Sequence, residues 1–156
     1  LAVVFVRLCA ILTGYALAIL VASLFLHLMA WPSLGLEGDT PTFAAKSALV
    51  VSVLLVALFA SYYAFVPAVA LIALAELKSF TSWLYFALAG GVTGLSALGL
   101  HEILRAAGRP GAQPLNAESL AGAVGAGMAA GIAYWLVAGR GAGKWRRRAD
   151  ATAPAP

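Results

Sequence analysis

SALVVSVLLVALFASYYAFVPAVALIALA, residues 47–75, runs for 29 positions without a single Asp, Glu, Lys or Arg. A helix needs about 20 apolar residues to cross the ~30 Å hydrocarbon core of a bilayer. A charge at the bilayer centre costs several kcal/mol, by estimates running from about 3 upward, so a stretch this long and this clean belongs in lipid. Three further stretches have the same character: residues 8–30, 82–100 and 119–138. All sixteen charged residues lie at the ends of these four stretches or between them. The fold class that follows is all-α: a polytopic transmembrane bundle of four helices.

Composition agrees. Hydrophobic residues make up 63% of the 156 positions and charged residues 10%, against about 25% charged in an ordinary soluble domain. Four spans and their loops occupy residues 1–140, which leaves a tail at 141–156 and no room in this sequence for a soluble catalytic domain. Cys9, the single cysteine, has no partner for an internal disulfide and falls inside the first span. That span is too long for the apolar region of a signal peptide, and no small-residue cleavage site follows it.

Punctuation between the spans sets the helix ends. Thr40-Pro41 has the form of an N-cap followed by proline in the first turn, so the second helix should start there. From Phe43 to Glu76 it would extend about 51 Å at 1.5 Å per residue, well over the hydrocarbon thickness. Pro67 lies inside it and removes a backbone hydrogen bond, which predicts one tilted helix kinked just before that residue. The third helix should close at His101-Glu102, and Asn116 or Ser119 should cap the fourth, which ends at Gly139-Arg140-Gly141. The remaining tail is basic, then rich in Ala and Pro, and is expected to be largely disordered past Arg148.

Basic residues near the span ends assign orientation. Arg7, Lys78, Arg140, Lys144, Arg146, Arg147 and Arg148 fall on the side of the termini, and Lys46, Arg105 and Arg109 on the other. Both termini are therefore expected in the cytoplasm. Lys144, Arg146, Arg147 and Arg148 lie close enough to the fourth span to rest on anionic lipid headgroups, at about 1 kcal/mol per cation. The patch is too short and too near the membrane for nucleic acid. Trp31, Trp83, Tyr85, Trp135 and Trp145 sit at the expected helix ends as interfacial anchors.

Within lipid, helices associate by close packing, and small residues every fourth position permit it. The first span carries Ala10, Gly14, Ala18 and Ala22 in such a row, the third Gly90 and Gly94, and the fourth Gly127 and Gly131. Helix four is smooth nearly all round, which suits a central place in the bundle or contact with another membrane protein or a second copy.

Chemistry-bearing residues are few. His27 and His101 should lie at one depth on different helices, an arrangement able to ligate a haem. The simpler expectation is two amphipathic rings at the headgroup boundary. Gly125, Gly127 and Ala130 match a dinucleotide-binding spacing, but no strand precedes them and the residues about 20 further on are mainly basic rather than acidic. Gly141-Ala142-Gly143-Lys144 lacks both the leading Gly and the Ser or Thr of a phosphate loop. Glu76 and Lys78 mark where the second helix leaves the lipid, with a gating or proton-relay role as the rival reading. Tyr62 and Tyr63, just before Pro67, form the expected internal polar spot, beside a carbonyl near Phe59 or Tyr63 that wants a donor.

The general layout resembles small four-span proteins of bacterial inner membranes, a likeness that carries no activity. The expected function is that of a non-catalytic integral membrane protein, an accessory or structural subunit of a larger complex or a homo-oligomer. The alternatives are a small transporter or channel with a polar spot near Pro67, and a haem-binding protein using His27 and His101.

Overall fold

The computed structural model describes residues 2–30, 43–108 and 116–143. Four helices follow one another: α1 (Ala2–Ala30), α2 (Phe43–Lys78), α3 (Trp83–Gly108) and α4 (Ala117–Val137), with a short 3₁₀ turn at Gly139–Gly141. No strand occurs among the described residues. All four helices are long and apolar enough to cross a membrane, which supports a multi-pass membrane protein. The large side chains behave accordingly. Leu58 is 68% exposed and Val66 74%, and such apolar surface is stable against lipid rather than water.

Helix α2 is continuous through Pro67. It stops at Ser79, whose φ of 56° turns the chain left-handed, while the Phe80 amide returns to the Ala75 carbonyl at 3.0 Å. That 6→1 bond is a Schellman ending. Helix α3 departs from expectation: it runs on to Gly108 instead of closing at His101-Glu102. Leaving the lipid does not end a helix when good helix formers follow, and here Ile103 to Ala107 continue it, with Arg105 bonded to Glu102 one turn back at 3.3 Å. Asn116 caps α4, its Oδ1 accepting the Ser119 amide at 2.8 Å. Helix α4 itself ends at Val137, and Gly141 to Gly143 fold back onto the end of α2. The Thr40-Pro41 cap, Trp31, Trp145, Arg109, the four basic residues 144 and 146–148 and the rest of the tail lie outside the described residues.

Helices α1, α4 and α3 form a close-packed layer with α4 in the middle. At the α3–α4 contact the backbones nearly touch: a Cβ on Gly90 would strike the Gly127 carbonyl, and one on Gly131 the Phe86 carbonyl. Gly94 faces the backbone of Ala123 in the same way. On α1, a Cβ added to Gly14 would meet the Tyr134 ring and the Ala138 methyl at 3.2 and 3.1 Å. Ala18 is buried, and Ala10 and Ala22 are half-buried.

Helix α2 is attached differently. It meets α1 and α3 over fewer neighbours and is held by side-chain hydrogen bonds. Tyr15 Oη donates to the Ser61 carbonyl at 3.1 Å, Ser23 Oγ to the Val53 carbonyl at 2.7 Å, and Tyr85 Oη to the Leu71 carbonyl at 2.8 Å.

Candidate functional site

The same small residues that let α4 approach its neighbours leave space on the side facing α2. A cavity of about 850 Å³ results, lined by all four helices. Alanines at 18, 22, 60, 64, 126 and 130 form much of its wall. Tyr15, Tyr85 and Thr93 also line it, but their hydroxyls are committed to the Ser61, Leu71 and Ala89 carbonyls. The interior is therefore apolar in effect, with little to offer water, which needs two to four polar partners. If enclosed and empty, a void of this size would cost about 20 kcal/mol at ~24 cal/mol per Å³. That exceeds the ~5–15 kcal/mol total stability of an ordinary domain. The cavity is accordingly a place for a guest or for lipid.

At the end near the chain termini the cavity floor is Tyr134, Phe86, Tyr85 and Ile72. Tyr134 is 95% buried, its ring packed on Phe86 at a centroid distance of 5.5 Å. Its hydroxyl has no hydrogen-bond partner, though Arg7 and Glu76 are near enough for both charges to act on it. These two form an ion pair through Arg7 Nε and Nη2, the former at 2.9 Å, with side chains only 14% and 13% exposed. Arg7 Nη1 donates to the Ala138 carbonyl at 2.8 Å, and the Gly143 amide donates to Glu76 Oε2 at 3.0 Å. One cluster thus ties α1, α2 and the end of α4. Gly143 is required there: its φ is 70°, and a Cβ would lie 2.9 Å from the Ser79 Cα. Glu76 is therefore a partner of Arg7 rather than a simple lipid-boundary marker, while Lys78 is exposed.

At the opposite end the mouth carries Met29, His101, Asn116 and Glu118. His101 is exposed, its ring edge-on to Tyr63 at 5.3 Å. His27 makes two hydrogen bonds, Nδ1 with the Ser23 carbonyl at 2.8 Å and Nε2 with Ser52 Oγ at 2.9 Å. A carbonyl only accepts, so Nδ1 carries a proton, and Nε2 is engaged by the Ser52 hydroxyl. A haem iron at His27 would have to take the place of that hydroxyl. Among the described residues, no group of three or more His, Cys, Asp or Glu side chains is placed to hold a metal.

The tyrosine pair divides. Tyr63 lines the cavity, whereas Tyr62 is 74% exposed and points away from the bundle. Pro67 lacks the amide that would serve the Tyr63 carbonyl, and the Tyr15 hydroxyl bonds Ser61, two residues away. Trp135 reaches the Thr81 carbonyl at 2.8 Å and carries Arg140 above its ring at 4.5 Å, as befits a residue at a helix end. The Arg7–Glu76 pair was missed by sequence reasoning, and the cavity was anticipated only as a spot near Pro67 in the transporter alternative, without its extent along all four helices. The pair had a signal, opposite charges at one membrane boundary on consecutive antiparallel helices. Compared with protein-family models, with curated proteins and with solved structures, the chain matches none.

Proposed function

We propose that this chain is a non-catalytic integral membrane protein that works by holding an apolar guest inside its bundle, as a small carrier or transporter does. The observation that carries this reading is the four-helix cavity, whose volume falls in the ~300–1,000 Å³ range of small-molecule sites. Its lining is apolar with polar groups at the ends, the usual make-up of such sites. The reading as an accessory subunit drew its support from small-residue faces. Gly90, Gly94, Gly127 and Gly131 now meet one another between α3 and α4, so they are not faces offered to a partner.

Native mass spectrometry of the protein released from its own membrane in mild detergent tests the proposal. The expected result is one small apolar molecule retained per chain, and its loss from an Ala22→Trp variant that fills the cavity. A chain that sheds all small molecules but keeps a stoichiometric membrane-protein partner would replace the carrier reading with the subunit one.

A further inference from the structure

The cavity is long, and its polarity is one-sided. Asn116 and Tyr134 both line it and are eighteen residues apart on α4, which is about 27 Å at the helical rise. On α1 the lining runs from Tyr15 to Ala30, about 22 Å by the same measure. Along this length the wall is mostly alanine, glycine, leucine and isoleucine, and the Tyr15, Tyr85 and Thr93 hydroxyls are bonded to backbone carbonyls. Exposed polar groups gather at the mouth, where the Glu118 carboxylate and the His101 ring stand, while the unpartnered Tyr134 hydroxyl at the floor is buried.

We infer that the cavity takes the hydrocarbon chain of a single-chain amphiphile, its uncharged hydroxyl-bearing head between His101 and Glu118 and its chain end against Tyr134. The inference rests on the guest-holding reading above and specifies the guest. The mouth chooses the head by charge. Glu118 repels a carboxylate or phosphate, and the first turn of α4 presents outward amides to a neutral oxygen. A hydroxyl head avoids that repulsion, donating to the carboxylate and accepting from the amides or from His101.

The test uses two photoreactive monoacylglycerols, one with a diazirine beside the glycerol and one with it at the chain end. Each is added to the full-length protein in detergent, and adducts are mapped by peptide mass spectrometry. The head-proximal probe should modify peptides carrying Met29, His101 or Glu118, and the chain-end probe those carrying Ile72, Phe86 or Tyr134. Untagged monoacylglycerol should suppress both, and the matching fatty acid should compete about tenfold less well. Ala22→Trp, with its melting temperature checked for retained folding, should lose the chain-end adducts. Reversed or coincident adduct positions would overturn the orientation, and equal competition by the fatty acid would overturn the head assignment, each leaving the carrier reading intact. Adducts confined to lipid-facing residues such as Leu58 and Val66, with none in the cavity for either probe or the fatty acid, would sink both.

Discussion

Removing one partner of the Arg7–Glu76 pair should be among the most damaging single substitutions in this protein. Glu76 accepts from Arg7 Nε and Nη2 and from the Gly143 amide, and both side chains are about six-sevenths buried. Glu76→Ala leaves the guanidinium with the Ala138 carbonyl at 2.8 Å in place of a carboxylate. An uncompensated buried charge costs about 3–5 kcal/mol. The residual exposure of both groups favours the lower end, so the expected loss is about 3 kcal/mol.

The double variant Arg7→Met/Glu76→Leu separates charge from packing. It removes both ions and strands the Ala138 carbonyl and the Gly143 amide, each worth about 1 kcal/mol when unsatisfied. The double variant should therefore lose about 2 kcal/mol, less than Glu76→Ala alone. Reversible unfolding in mixed micelles with increasing SDS, applied also to Arg7→Met and Glu76→Leu singly, gives the four free energies of the cycle. A Glu76→Ala loss under about 1 kcal/mol, or losses that simply add in the double variant, would refute the reasoning, because independent sites add.

Two other predictions rest on single sites. Gly131→Ala should destabilise by about 1–3 kcal/mol, since its methyl meets the Phe86 carbonyl. Gly99→Ala, with nothing within 4 Å of the added carbon, should instead gain up to about 1 kcal/mol from helix propensity; melting curves of the pair in one detergent decide it. Tyr134→Phe removes a buried hydroxyl that has no partner, so stability in the guest-free protein should stay level or rise by up to about 1 kcal/mol. A clear fall in the melting temperature would mean that the hydroxyl is bonded in solution.

The spans were legible because a bilayer filters charge so strongly that the four clean stretches follow from the sequence. Helix ends were less so. The close of α3 was placed at His101-Glu102 because polarity returns there, yet Ile103 to Gly108 remain helical: polarity reports where lipid ends, and helix propensity reports where the helix ends. The extent of the cavity was not legible. Small residues such as Ala18 and Ala22 read as contact surface, and only three dimensions distinguish an alanine pressed on a neighbour from one that lines a space. The Arg7–Glu76 pair stood at the span boundaries, where charged residues are so ordinary that neither was matched with the other.

The unequal attachment of α2 bears on how a guest would enter. Interhelical side-chain hydrogen bonds in membranes average about 0.6 kcal/mol. The bonds to α2 from Tyr15, Ser23, His27 and Tyr85 thus contribute about 2–3 kcal/mol together. The ion pair, at about 3 kcal/mol for loss of one partner, matches all four combined and sits at one end of α2. Opening therefore starts at the other end, where the Ser52 hydroxyl on His27 and the Ser23 bond to Val53 are the ties. Releasing those two costs about 1.2 kcal/mol in hydrogen bonds, which thermal motion supplies readily, while the Arg7–Glu76 end stays shut. The end held by the weaker ties is the end with the mouth, so under the proposed guest-holding function a chain would enter there while the floor stays in place.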